Sequence, residues 1–353
     1  MEENAKIFVR IEKSSYFCYH KTMLDFDGLT KHLKDSHGLN VDKNQETDLR
    51  NIGYYHGYKG YRFIRKSSNR IAFTSFSQVV TLNRFDMRLK TIIYPRLMFL
   101  ENALKSRVIE AVLSDSGTEN LSEVYKKSLT YYQEFKTKNP NQAQNDRSRY
   151  RQEFKKKKDL EMKISSALIR DYMQGRDIEN HYFDNDRDVP LWAAFESLTL
   201  GEFGIFFSCT NMAIKKTVSE QLGLRKSLNA DGGLLTDIIF CLKNLRNAIA
   251  HNGVIFDTRF ATQKVEPRVK KLLETEMEIE NIDFSFIVSY VALIVYLLKA
   301  LKETKDCVSF INEYEKTIEM LSANFPQEVY FKIVGTQEKS VLEKMRAFVK
   351  RTS

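Results

Sequence analysis

Apolar residues recur along this chain at the three- and four-residue steps of a helix, and few stretches alternate like a half-buried strand. The ridge Leu82, Phe85, Leu89, Ile92, Ile93, Leu97, Leu100, Leu104 and Val108 predicts a helix from Val79 to Leu113, which Pro95 kinks or interrupts. The charged and amide residues beside it, Asp86, Arg88, Arg96, Glu101, Asn102 and Arg107, read mostly as helix-surface groups. Helical periodicity resumes from Leu160 to Met173, and Pro190 to Glu196 opens a further helix with proline in its first turn, ending near Gly201 to Gly204. Leu235, Ile238, Ile239, Leu242, Leu245 and Ile249 predict a helix from Leu234 to His251, closed by a turn and left-handed cap at Asn252-Gly253. From Phe284 to Leu298 the chain runs 15 residues without a charge. A bilayer span needs about 20, so this segment predicts a central core helix or part of a dimer seam. Helical patterns near Lys302 to Ala323 and Val341 to Arg351 complete the chain.

The first 75 residues differ. Lys6 to Ile11 has the make-up of a short strand, and Leu29 to Leu33 with Leu49 and Ile52 predicts short helices about a turn at His37-Gly38. Gly53, Gly57 and Gly60 then break any helix, among tyrosines interleaved with Lys59, Arg62 and Arg65. Two readings of that stretch stand: a bent segment packed on a helical core, or an RNA surface in which Tyr54 and Tyr55 stack bases while Lys59 and Arg62 meet phosphates. The organisation is an accessory section over 1–75, a helical body over 76–302 with a basic insertion at 136–158, and a helical extension over 303–353.

Composition agrees with a mainly α fold: 14 Gly and 5 Pro give little punctuation, against 24 Phe and 17 Tyr to fill a core. The four cysteines are dispersed and lack zinc-finger spacing, so free thiols in a reducing, cytoplasmic setting are expected; no secretory leader pattern opens the chain. Neither a metal nor another cofactor is called for. The net charge of +9 is concentrated between Lys136 and Lys158. There Lys136, Lys138, Arg147, Arg149, Arg151, Lys155, Lys156, Lys157 and Lys158 face only Asp146 and Glu153. The polar run from Asn139 to Asn145 predicts an exposed loop, either a solvated insertion or an arm that follows a phosphate backbone.

Candidate chemistry lies in Leu245-Arg246-Asn247-Ala248-Ile249-Ala250-His251-Asn252-Gly253. Arginine holds phosphate through a permanently charged planar fork, and histidine transfers protons near neutrality. In the last turn the negative helix pole favours imidazolium at His251. Asn247 shares the His251 face, whereas Arg246 is rotated about 140° from it, so a second copy of the helix closes that gap more easily than one chain. With its own 2′-hydroxyl as nucleophile, RNA needs only deprotonation, charge stabilisation and protonation of the leaving 5′-oxygen. Taken alone, the run also fits a buried arginine capping carbonyls and a histidine satisfied at a helix end.

Four ordered segments resemble the Abi-like, AbiD/AbiF-type family of bacterial abortive-infection proteins. They are Leu49-Arg50-Asn51-Ile52-Gly53-Tyr54-Tyr55 with Gly60-Tyr61; Arg84 to Leu89 with Leu100-Glu101-Asn102-Ala103-Leu104; Pro190 to Gly201; and Leu242 to His251 continuing to Arg259. The resemblance covers roughly residues 25–260. It departs in the motif's tail, Gly253 to Arg259, which lacks the family's tryptophan, and in the basic insertion. It implies a bundle of the HEPN superfamily, whose R-x4-6-H motif marks metal-independent ribonucleases that pair two motif helices across a homodimer. It further implies a role in phage defence or as a toxin, an RNA substrate, a small noncoding RNA as regulator, catalytic roles for Arg246, Asn247 and His251, and Glu101 as their polar partner. The expected products are a 2′,3′-cyclic phosphate and a 5′-hydroxyl. Two alternatives stay open: a noncatalytic RNA-binding protein of a defence or toxin–antitoxin complex, and a purely structural partner in such an assembly.

Overall fold

The computed structural model describes residues 25–136, 143–261 and 263–351, the side chains of 143–145 excepted. The strand expected at Lys6 to Ile11, the basic residue Lys138 and Cys18 lie outside these residues. Within them the chain is mainly helical, with no extended strand and isolated bridges pairing Phe63 with Arg70 and Asn120 with Pro190.

Helix α1 (Phe26–His37) starts where the Asp25 carboxylate accepts from the Gly28 amide and ends at left-handed Gly38. A capping box of Asp42 and Gln45 opens α2 (Lys43–Ile52). The glycines after it do not break the chain's helical course: Gly53–Tyr58 forms a π-helical turn that passes into the single turn α3 (Lys59–Tyr61). A β-carbon on Gly57 would come within 2.7 Å of the Ile52 carbonyl oxygen, so the glycine lets this widened turn close. The 41-residue α4 (Phe76–Ser116) continues through Pro95. In the turn that Pro95 weakens, the buried Arg96 guanidinium donates to the Ile92 carbonyl.

Next come α5 (Leu121–Lys127), α6 (Ala143–Met173), α7 (Asp177–Phe183), α8 (Leu191–Glu196), α9 (Leu200–Cys209) and α10 (Met212–Gln221). The basic insertion is therefore helical from Ala143 onward, and residues 137–142 lie outside the described residues. Pairs at i,i+3 and i,i+4 explain why a polar segment forms a helix there: Lys156 with Glu153, Lys155 with Asp159, and Lys157 and Lys158 with Glu161. Gly201 and Gly204 sit inside α9, not at the end of α8, because Thr199 caps a new helix ahead of them and closes a capping box with Glu202.

The body ends with α11 (Leu234–Ala250), α12 (Pro267–Met277), α13 (Ile287–Ala300), α14 (Thr304–Ser322), α15 (Gln327–Val334) and α16 (Glu338–Lys350). Helix α13 is buried at every position from Ile287 to Leu298, which accounts for its lack of a polar face. No helix of the described residues is long and apolar enough to cross a membrane. One core runs from Tyr61 to Val349 and takes Phe310, Tyr314, Leu342 and Met345 from the C-terminal helices. Arg96 fastens α14 to α4 through Asp306 and Glu313. A smaller cluster, Leu33, Leu39, Leu49, Tyr54 and Tyr58, packs on Phe76, Val79 and Val80 at the start of α4.

Helix α9 approaches α11 closely at Gly204, where an added β-carbon would stand 3.0 Å from Ile239 Cγ2 and 3.4 Å from the Phe240 ring. Gly204→Val is expected to destabilise the protein by about 1–3 kcal/mol through overpacking, seen as a lower urea midpoint. An unchanged midpoint would show that α9 and α11 separate without cost.

Candidate functional site

The last turn of α11 carries Arg246, Asn247 and Ala250, and His251 is its C-cap. A Schellman pattern closes the helix: the Asn252 amide donates to the Ile249 carbonyl at 3.0 Å and the Gly253 amide to Ala248 at 2.7 Å. The left-handed residue is Asn252, at φ 52°, and not the glycine after it. Asparagine tolerates that conformation and adds a side chain, which here accepts from Lys90 Nζ at 2.9 Å.

Lys90 leads to Asp86, one α4 turn earlier. Asp86 is fully buried, 2.8 Å from Lys90 Nζ, and accepts from the Tyr61 hydroxyl at 3.1 Å and from the Ile255 and Phe256 amides, both at 2.8 Å. Burial, then the adjacent Asp86 charge, pushes the Tyr61 hydroxyl far above its ordinary pKa and keeps it a donor. A second buried carboxylate, Asp257, accepts from the Arg65 amide at 2.6 Å and from Arg259. Arg259 also donates to the Gly60 and Phe63 carbonyls and lies over the Phe63 ring. The turn after the motif is thus fixed on both sides to residues 60–65 and to α4.

On α4, Glu101 is buried, with Oε1 3.1 Å from Lys105 Nζ and Oε2 3.6 Å from Arg246 Nε. Lys105 in turn donates to the Leu198 carbonyl in the turn between α8 and α9. The distance to Arg246 gives ionic attraction without a hydrogen bond, and both Arg246 Nε and Glu101 Oε2 are buried without hydrogen-bond partners. The Arg246 side chain remains 28% exposed, and among the described residues no hydrogen bond engages its guanidinium. Asn247 and His251 are exposed, and the His251 ring likewise makes no hydrogen bond among the described residues. A positioned guanidinium and a free imidazole at one helix end can hold a phosphate and move a proton.

Other sequence candidates separate into groups. Tyr54 is buried in the smaller core cluster, so its ring is not offered for base stacking; the π-helical turn directs Tyr54 and Tyr58 inward. Tyr55 is exposed, Arg62 is half-buried, and Lys59 Nζ lies 4.8 Å from the Tyr55 ring centroid. In the basic run Lys157 is buried beside Glu161 and the Tyr132 ring, which corrects its assignment to phosphate contact. Lys155, Lys156 and Lys158 already have carboxylate partners along α6. Arg147, Arg149 and Arg151 are exposed and form no ion pair among the described residues, although Arg149 lies over Phe135.

Periodicity alone placed Asp86, Arg96 and Glu101 among surface charges, with only the family resemblance singling out Glu101 as the motif's polar partner, and the structure buries all three. The signal was present: Asp86 falls between Leu82 and Leu89, and Glu101 between Leu97 and Leu104, at steps of four and three. Each also has a lysine four residues on.

The family model described as Abi-like protein matches residues 47–257, which include the π-helical turn, Asp86, Glu101 and the whole motif helix. No curated protein and no solved structure matches the chain.

Removing the Asp86 side chain would leave two backbone amides buried without their acceptor and take from Lys90 its counter-charge, leaving it the Asn252 oxygen. Asp86→Ala is expected to cost about 3–5 kcal/mol in urea unfolding. Asp86→Asn, which keeps an acceptor oxygen, should cost less. Equal losses, or none, would remove Asp86 as the anchor of the 255–256 turn.

Proposed function

We propose that this chain, which belongs to the Abi-like protein family, acts in abortive-infection defence as a metal-independent endoribonuclease of the HEPN type. The observation that carries this reading is the end of α11: Arg246 is held beside buried Glu101 with its guanidinium free of hydrogen bonds, and Asn247 and His251 are exposed one turn apart. Arg246 takes the non-bridging oxygens of the scissile phosphate, where charge grows as the 2′-oxygen attacks phosphorus. Asn247 orients the phosphate or the imidazole. His251 transfers a proton at the reacting oxygens, and cleavage of the bond to the 5′-oxygen leaves a 2′,3′-cyclic phosphate and a 5′-hydroxyl.

Arg246 Nε turns toward α4 while His251 opens to solvent, so the complete reaction centre is assigned to two copies of α11 in a homodimer. The substrate is RNA, and a small noncoding RNA is the regulator. The exposed arginines of α6 serve capture rather than chemistry.

His251→Ala is expected to abolish cleavage while RNA affinity stays within about twofold, because the exposed ring supports no packing. RNA retention by wild-type protein without cleavage would instead favour a noncatalytic RNA-binding protein. Cleavage should also persist in EDTA; complete inhibition reversed by Mg²⁺ would overturn the metal-independent mechanism.

Replacing Arg147, Arg149 and Arg151 together with alanine should weaken binding across RNA sequences and lower the log–log salt slope by roughly 2, since each single-strand phosphate that an arginine neutralises adds about 0.7. Turnover at saturating RNA should hold. A collapse of turnover with unchanged affinity would place these arginines in the reaction centre.

A further inference from the structure

Ahead of α4 stands a group of basic side chains that no carboxylate of the described residues pairs. His32 and His37 of α1 meet edge to face with ring centroids 5.1 Å apart, and the His37 ring lies 5.0 Å from that of Tyr58. Lys59 Nζ stands 5.2 Å from the centroid of the Tyr54 ring. Arg62 and Arg70 are held near each other, because Phe63 bridges to Arg70 and the Arg62 carbonyl accepts from the Ile71 amide at 2.9 Å. Among the described residues the ion pairs of the chain begin with Arg84 and Asp48, so none of these five groups has an acidic partner. Their convergence is felt at His37, whose pKa is lowered by burial and then by the positive charge of His32, Arg62, Arg70 and Lys59.

Two phenols open into the same group. Tyr54 and Tyr58 are 6% and 5% exposed, so their rings are core. Their hydroxyls are not: Tyr125 and Tyr314 seal an unpartnered hydroxyl away from solvent, whereas Tyr54 and Tyr58 do not. The Tyr54 hydroxyl makes no hydrogen bond among the described residues, and the Tyr58 hydroxyl lies against Arg62. Burial raises both phenols, so each keeps its proton at neutral pH, and the Arg62 charge acts on both in the opposite sense, which places the two hydroxyls near one guanidinium. The result is a convergence of donors with neither a counter-charge nor an acceptor. Donors of this kind are satisfied by an oxyanion, and guanidinium forks match the oxygens of phosphate.

We propose that this face binds a phosphate group, with Arg62 and Arg70 on its oxygens, the Tyr54 and Tyr58 hydroxyls donating beside them, and His32, His37 and Lys59 adding charge. The phosphate belongs either to an RNA strand, in line with the ribonuclease reading, or to a free anion. The full chain is titrated with inorganic phosphate, against sodium chloride of equal ionic strength, while the His37 ring is followed by NMR. Phosphate should raise the His37 titration midpoint by roughly one pH unit, the scale of one opposite charge at close range, and chloride should not. Arg62→Gln with Arg70→Gln should weaken phosphate binding by at least about tenfold. Should that variant fail to fold, Tyr54→Phe keeps the buried ring, removes only the open hydroxyl and should weaken binding severalfold. A short 2′-O-methyl oligonucleotide, which lacks the nucleophile for its own cleavage, separates the two sources. Its binding, weakened by the arginine substitutions, identifies RNA, and a response to phosphate alone identifies a free anion. No His37 response beyond that in chloride, or equal phosphate binding by the folded variants, would overturn the assignment. Neither arm involves turnover, so His251→Ala protein should respond as wild type does, and loss of the ribonuclease reading would leave the result standing.

Discussion

The carboxylate of Asp86 is the constraint on which the placement of the motif depends. Burying a charge is costly unless partners replace its water, and Asp86 has four: an ammonium, a phenol and two backbone amides. Those partners come from three separate parts of the chain, with Tyr61 before α4, Lys90 on it, and Ile255 and Phe256 after α11. The amides at 255 and 256 lie in a turn that no regular ladder satisfies, so the carboxylate supplies what the backbone lacks. Because Lys90 also donates to Asn252, the same pair governs the left-handed residue directly after His251.

Asp257 repeats the device on the other side of the turn. Arg259 and the Arg65 amide converge on it, and Arg259 extends the network to the carbonyls of Gly60 and Phe63. The 60–65 segment therefore braces the motif end, and the family match over residues 47–257 includes this segment and Asp257, with Arg259 just beyond it. An RNA-stacking surface and a structural brace demand opposite orientations of the tyrosines. Burial of Tyr54, Tyr58 and Tyr61 favours the brace, and Tyr55 alone among the four remains exposed.

How far the sequence was legible follows from the range of the interactions. Helix α11 was readable to within one residue because its ridge, its polar end and its cap are all local. The α4 ridge was equally plain, but Asp86 was assigned to the surface because the partners that make its burial tolerable, Ile255 and Phe256, lie far along the chain, and Glu101 was tied to the motif through the family resemblance and not through its periodicity. Helix α6 starts at Ala143, well before the expected resumption at Leu160, for a different reason. Ending the charge count at Lys158 leaves out Asp159 and Glu161, the carboxylates that pair along α6. Three glycines near residue 57 read as breakers because a π-helical turn, which needs a glycine facing the Ile52 carbonyl, has no simple periodic signature.

Under the proposed ribonuclease reading, the charges around Arg246 give an arginine its purpose at this end of α11. A helix C-terminus has a negative pole equivalent to roughly half a charge and by itself repels phosphate. Lys105, Glu101 and Arg246 form a plus–minus–plus row, so Glu101 positions Arg246 without cancelling the cluster's net positive charge. Had Glu101 paired the guanidinium bidentately, two of its five N–H donors would be taken from an incoming anion; without Lys105, the row would be neutral. At 3.6 Å the carboxylate restrains the arginine by Coulomb attraction and leaves its fork free for another anion. The imidazole of His251 is exposed at the same helix end, so the row of charge on the α4 side and the proton-transfer group on the solvent side mark the two halves that the proposed dimer would bring together.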